Sequence, residues 1–472
     1  MNIKIFTLLL FILCLALVPP KLYAFPPIVV ITGDSLTLEV KNTPLRSVLE
    51  EVAEQGIIVR IDPSINPLIS ASFKRRPLNT AFSAILKDFS YSLVWDSGAS
   101  PSSEEIKLSE IKIFQQGQKQ RMRVLKTDQN LRIVRGGNGS FHVRNTLLVS
   151  LDTTAQDSTL PLLLNQFGAT LVEVNESLGI FRLHLPEDVD IEKLAKVVSE
   201  LPGIAFAEPD YAYPLSINRS LLPGSQLAAE TIEATPPLGG IAVAVLDSGL
   251  SENLTDEPFI QGSFDAISPG SNISDPLGHG TQMSLIAAGV VNPMGRFTDT
   301  SDKSSVVSIR AFDDNGFTSN YALLQGIDYA INAEARVLSM SWGTETKSSV
   351  LASAVQHATN NGLILVAAAG NSPTGVPIYP AAYDNVIGVG ALMPDGTVWQ
   401  NSNYGDFVTI YAPGLADLPV GHDGDPGIYA GTSIATAYAA RQIAEILASN
   451  PDVDITTILQ NLAQDKSTGI QQ

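Results

Sequence analysis

Cysteine is all but missing from this chain. Among 472 residues there is one, Cys14, and it lies within the first two dozen. A disulfide framework is therefore excluded, whatever the compartment. Basic residues are also scarce. Lys and Arg number 29 against 48 Asp and Glu, giving a net charge of −19, which argues against a nucleic-acid partner. Charged residues make up only 16 % and hydrophobic residues 44 %, so disorder is excluded and a globular protein implied. The length calls for two to four domains.

Long apolar runs are rare, and the clearest one opens the chain. Residues 5–18 are apolar or small, Lys4 precedes them, and Pro19, Pro20 and Ala24 follow. The run is short for a membrane anchor and has the layout of a secretory signal peptide, residues 1–24. Leu13 stands before Cys14, where a lipid-modified cysteine would follow a small residue. Export to the periplasm or the exterior is expected, with no thiol left after cleavage.

Residues 25–95 hold an internal echo. NTPLRSVLEEVAEQGIIVRI from Asn42 is matched 33 positions later by RRPLNTAFSAILKDFSYSLVW. In each copy a Pro-Leu opens a helix and an alternating strand follows. This small α+β module resembles the short N-terminal domain of secretins and TonB-dependent receptors, where it is a protein–protein contact element. A domain that merely aids folding is the other reading. Residues 96–143, with SGASPSSEE near their start, read as a connecting segment.

Residues 144–215 read as strand, helix, hairpin, helix and strand, the ferredoxin-like order. Gly168 closes the first helix and Asp190 caps the second. Residues 216–238 are rich in Pro, Gly, Ser and Ala and form a linker. Beyond Gly239 the texture changes: uncharged strands such as IAVAVLD, VLSMSWG and LILVAAAGN alternate with helical stretches. Strands apolar on both faces imply a mostly parallel, doubly wound sheet, with ligands gathering beyond its strand C-termini.

Four residues carry candidate chemistry, two of them at such ends. Asp247 ends an uncharged strand, where a carboxylate is costly without a partner. Asn371 ends another. His279, alone among five histidines, is framed by small residues, in GHGTQMS. Ser433, in YAGTSIAT, opens an apolar helix. By itself it is either a helix cap or a nucleophile.

LDSG, GHGT, AAGN and GTSIAT, in the order Asp, His, Asn, Ser, resemble the motifs of the subtilisin-like serine proteases, a resemblance that covers roughly residues 239–465 of the expected peptidase domain, 239–472. The resemblance implies that Ser433 attacks the scissile carbonyl, His279 takes its proton and Asp247 orients the imidazole. The Asn371 amide and the Ser433 N–H would bind the oxyanion. Ser341, Trp342 and Gly343 would pair with an extended peptide substrate, and Ala368, Ala369 and Gly370 would wall the specificity pocket. Such chemistry needs no cofactor; structural calcium fits the family, but its ligands are not identifiable. Gln282, Met283, Ser284 and Ala437 depart from the family's usual residues without supplying a catalytic atom. Residues 144–215 resemble the family's inhibitory propeptide. The resulting expectation is a secreted endopeptidase made as a self-inhibited precursor. The alternative is an interaction protein, docked through its first module, whose protease acts only on itself or is inactive.

Overall fold

A computed structural model describes residues 28–97, 106–125, 130–215, 222–223, 241–295, 304–419, 426–464 and 468–472, apart from 54, 56, 63, 64, 116, 118, 120, 121, 138, 187 and 188. The expected signal peptide and nearly all of the 216–238 linker lie outside these residues.

The chain divides into two units, one ending at Leu125 and one beginning at Lys126. The first is built from the echo. Strands β1 (Ile28–Thr32) and β2 (Ser35–Pro44) lead into helix α1 (Leu45–Ala53) and β3 (Ile58–Ile61). Its second copy is β4 (Leu68–Pro77), α2 (Leu78–Ile85) and β5 (Ser90–Ser97). Both helices start directly after a proline, whose fixed φ suits a first turn. The two copies meet where β2 and β4 pair antiparallel, from Ser35 opposite Pro77 to Pro44 opposite Leu68. Leu38, Leu49, Phe82 and Ile111 are fully buried in the core they share.

Ile111 belongs to a strand that the sequence reading placed in a connecting segment. Residues 106–114 form β6 (Ile106–Phe114), which pairs antiparallel with β5 and parallel with β3. A two-residue strand, β7 (Arg123–Val124), adds to β3. The module thus runs on past residue 95. Leu108, Ile111 and Ile113 are buried, and these apolar positions complete a second sheet that β3 and β5 could not close by themselves.

In the second unit, β8 (Ile133–Arg135) makes a hairpin with β9 (Phe141–Leu151). There follow α3 (Thr159–Phe167), β10 (Thr170–Asn175), β11 (Ile180–His184), α4 (Ile191–Ser199) and β12 (Ile204–Pro214). Gly168 ends α3 at φ 63°, and the Asp190 carboxylate caps α4 by accepting from Lys193 N. The sheet order β10-β11-β9-β12 is ferredoxin-like. After it comes β13 (Leu222–Pro223).

The remainder begins with β14 (Ala242–Asp247), β15 (Ile260–Asp265), α5 (His279–Ala287), β16 (Ser305–Arg310) and β17 (Phe317–Ser319). It continues with α6 (Asn320–Asn332), β18 (Val337–Met340), α7 (Ser349–Asn360), β19 (Ile364–Ala368), β20 (Val386–Leu392) and β21 (Ile410–Pro413). The last elements are β22 (Leu415–Leu418), β23 (Gly427–Ala430), α8 (Thr432–Ser449) and α9 (Ile455–Gln464). Seven parallel strands form one sheet, in the order β15-β16-β14-β18-β19-β20-β21. Along β14, Val243 and Val245 pack toward α5 and α8, while Ala242, Ala244 and Leu246 pack toward α6 and α7. Every residue of this strand is buried. That two-sided burial is why it reads as an unbroken apolar run.

Candidate active site

The parallel sheet brings its strand C-termini to one edge, and four of the expected residues collect there. Asp247 ends β14 with its carboxylate fully buried. Its Oδ1 accepts from Ser248 N at 2.7 Å and is 2.6 Å from His279 Nδ1. With Nδ1–H donating to Asp247, Nε2 is the unprotonated, basic nitrogen of the neutral ring. Burial, the largest single influence, pulls the His279 pKa down. The charge and hydrogen bond of Asp247, with the charge of Asp275, outweigh it and leave the pKa raised.

His279 is the first residue of α5, and a second carboxylate holds that helix end. Asp275 Oδ1 accepts from Gly278 N and Ser248 Oγ, and Oδ2 accepts from Thr281 N and Oγ1, all at 2.6 to 2.9 Å. Ser248 Oγ in turn accepts from Gly280 N at 2.8 Å. Free N–H groups at a helix start are thus satisfied by an anion placed favourably in the helix dipole. Gly249 and Gly280 make the approach of strand end and helix feasible. A Cβ on Gly249 would stand 2.0 Å from Ser274 O, and one on Gly280 would stand 2.4 Å from Gly249 O.

Ser433 lies one residue inside α8, which packs against α5. Its hydroxyl donates to Ser341 O at 3.0 Å, and Ser341 Oγ donates to Ser433 O at 3.1 Å. Ser433 is therefore not the cap of its helix. That part falls to Asn371, just beyond β19, whose Oδ1 accepts from Thr432 N and Thr432 Oγ1, both at 2.9 Å. With the amide oxygen so engaged, the NH₂ is the end available to an incoming anion. Gly370 N donates to Thr432 Oγ1 at 3.2 Å, so Ala368, Ala369 and Gly370 run beside the start of α8. Trp342 is buried, with its indole N–H donating to Leu246 O at 3.0 Å. At Gly343 a Cβ would meet Ile378 at 2.3 Å.

Sequence reasoning missed the residues that hold these in place. Besides Asp275 and Ser248 there is Asn403, which donates to Ala369 O and Val376 O and accepts from Thr374 N and Gly375 N. It fixes the loop that carries Asn371. An Asp four positions before a helix-opening His was a readable capping signal; Asn403 offered none.

The ferredoxin-like sheet does not end at β12. Strand β17 adds to it antiparallel, with Ala212, Tyr213 and Pro214 opposite Ser319, Thr318 and Phe317, and Leu215 N donates to Gly316 O at 2.8 Å. Tyr213 is fully buried, stacked 6.4 Å from Trp342, and its hydroxyl donates to Asn320 Oδ1 at 2.7 Å. Two carboxylates of β12 sit at helix N-termini across this contact. Glu208 accepts from Ser348 Oγ, from Asn320 Nδ2 at 3.0 Å, and from Ser349 N and Val350 N at 2.9 and 3.1 Å, at the start of α7. Asp210 accepts from Tyr321 N at 3.0 Å, at the start of α6. Burial is the main influence on both and raises their pKa values, against hydrogen bonds that favour the anions.

A family model described as the subtilase family matches residues 239–469. Thermitase of Thermoactinomyces vulgaris is 34 % identical over 233 residues, 49 % of this chain and 83 % of thermitase. The chain belongs to the subtilase family. Alkaline elastase YaB of Bacillus sp. (strain YaB) is 31 % identical over 287 residues, 59 % of this chain and 72 % of that protein. A second model, the fervidolysin N-terminal prodomain, matches residues 128–210. In fold, this subtilase is similar to the crystal structure of fervidolysin from Fervidobacterium pennivorans, a keratinolytic enzyme related to subtilisin. The TM-score is 0.52 at 21 % identity, covering 71 % of this chain and 59 % of that one. The protein is thus a subtilisin-family serine endopeptidase with a prodomain. Neither model reaches residues 25–95, and their likeness to the secretin and TonB-receptor module gains no support. Subtilases need no cofactor for catalysis. Among the described residues, no three His, Cys, Asp or Glu side chains converge to hold a metal ion, and no helix is long and apolar enough to cross a membrane.

Proposed function

We propose that this subtilase cleaves peptide bonds with Ser433 as nucleophile, His279 as general base and Asp247 as the group that orients and stabilises the imidazolium. The observation that carries the reading is the buried 2.6 Å Asp247–His279 contact, made from a helix that packs against α8. Proton transfer from Ser433 to Nε2 leaves positive charge on His279, which the Asp247 carboxylate offsets. The Asn371 NH₂ and the Ser433 N–H at the helix start donate to the oxyanion, where a donor is worth most because charge develops there.

Substrate lies extended beside residues 341–343, with Ala368, Ala369 and Gly370 forming the wall of an apolar side-chain pocket. The prodomain's last strand supports this: Tyr213 rests on Trp342 while its backbone pairs with β17. Residues 144–215 then act as the intramolecular inhibitor, residues 239–472 as the peptidase, and residues 1–24 as the export signal. The folded first unit, outside both family models, is offered as a contact element for a protein partner.

Ser433→Ala in the full chain tests the assignment. The variant should hydrolyse no peptide and persist as an unprocessed precursor, with a loss of kcat of about 10⁶, a magnitude that is subtilisin's own. Ordinary turnover by this variant would sink it.

A further inference from the structure

Strands β18 and β19 pair side by side as far as Met340, opposite Ala367. Beyond the sheet edge the first runs on as residues 341–343 and the second as 369–370. Ala369 N donates to Val389 O at 3.0 Å, and Gly370 O accepts from Asn403 N at 2.9 Å. The second segment thus turns to other partners, and the ladder with its former neighbour ends. A crevice between strand ends is where parallel sheets take ligands.

One side chain reaches both segments. A Cβ on Gly343 would stand 2.3 Å from Ile378 Cγ2, and one on Gly370 would stand 3.4 Å from Ile378 Cγ1. Ile378 therefore lies against the glycine that ends each segment and spans the gap between them. The backbone holds it there. Thr344 and Tyr379 exchange two N–H···O bonds, both 2.8 Å, so the residue after Ile378 is laddered to the residue after Gly343. Ile378 O accepts from Ala382 N at 2.8 Å, and two positions upstream Val376 O accepts from Asn403 Nδ2 at 3.0 Å. The branch at Cβ stiffens χ1. Ile378 is only half-buried, so part of its surface is open to an incoming group.

We propose that Ile378 is the floor of the specificity pocket and sets its depth, so that this enzyme cuts after small side chains such as alanine and not after leucine or phenylalanine. The proposal rests on the reading of residues 341–343 and 368–370 as the sides of that pocket. A methyl group fits above the isoleucine. An isobutyl or benzyl group needs the volume that Ile378 holds, and a side chain fixed from both ends yields little of it.

The test uses the full-length active chain and peptide p-nitroanilides that differ only in the residue before the scissile bond, which is Ala, Leu or Phe. Casein is digested in parallel. For the parent chain kcat/KM should be at least roughly tenfold higher with Ala than with Phe. Ile378→Gly removes the floor and should move the Phe-to-Ala ratio toward Phe by about 10- to 200-fold, the range that apolar pocket contacts command. Ile378→Ala should fall between, and Ile378→Val, which keeps the branch, should stay close to the parent. Each value is a ratio of two substrates on one preparation, so partial misfolding of a variant cancels. A parent that prefers Phe, a ratio unmoved in both the Gly and the Ala variants, or casein digested with all three peptides intact would overturn the floor and leave the serine assignment standing. A parent that hydrolyses nothing, casein included, would overturn the serine assignment and this proposal with it.

Discussion

Two sets of helix N-termini in this molecule are held by carboxyl or amide side chains, and they differ in where those side chains come from. At the sheet edge, α5 is capped by Asp275 and α8 by Asn371, both residues of the peptidase itself. On the prodomain side, α6 and α7 carry their own serine caps, Ser319 and Ser348. They gain Asp210 and Glu208 from β12 in addition. The first set is complete within one domain and is permanent. The second is completed by β12, and α6 and α7 keep serine caps of their own besides it. The same physics of free N–H groups and helix dipole serves the candidate active site in one place and the β12 contact in the other.

Breaking the permanent set should have the larger effect. Asn371→Ala removes both the amide that we propose binds the oxyanion and the acceptor for Thr432 N. It should lower kcat by roughly 10²–10³, the range found for the corresponding donor in subtilisin, with KM little changed. Steady-state kinetics decide it, and an unchanged kcat would remove Asn371 from the oxyanion site.

Breaking the β12 contact should leave the mature enzyme alone. Glu208→Ala deletes an anion that accepts from three residues of the α7 start and from Asn320. Inhibition of the peptidase by its prodomain should weaken roughly 10- to 100-fold. Its kcat once processed should stay the same. An inhibition constant that does not move would reduce the β12 contact to packing.

A finer comparison is electrostatic. His279 works as a base only when neutral, and the surrounding carboxylates leave its pKa raised. Protonation as pH falls therefore removes activity early, starting above the unperturbed value of about 6.5. On the acid side kcat/KM should decline about tenfold per pH unit, and above the raised pKa it should level off. A profile flat between about pH 5 and 9 would contradict a histidine base.

Much of the candidate site was legible in the residue pattern alone. Asp247 and Asn371 interrupt runs otherwise free of polar residues, and His279 and Ser433 open helices amid small residues, so each stands out against its neighbours. The elements of residues 144–215 were legible for a similar reason, since a cap at Asp190 and a left-handed Gly168 are local signals. Strand β6 was not, because a Ser- and Glu-rich stretch just before it reads as the end of a module. Nor was β17: its three residues follow the turn-rich DDNG, and its partner lies about a hundred positions earlier. Asn403 carries no mark at all, because all four of its side-chain hydrogen bonds go to backbone brought near by the fold.

By itself the sequence determined the alternation of buried strands and helices, the four polar residues at their ends and the order in which they occur. Local patterns suffice for these, since burial period, capping and backbone freedom act over a few residues. Only the tertiary structure decided that Asn371 caps the helix of Ser433 and that β12 extends its sheet through β17. Those pairings join residues far apart in the chain. Their free energy comes from excluding water around polar groups once the sheets have formed, and no local stretch of sequence records that.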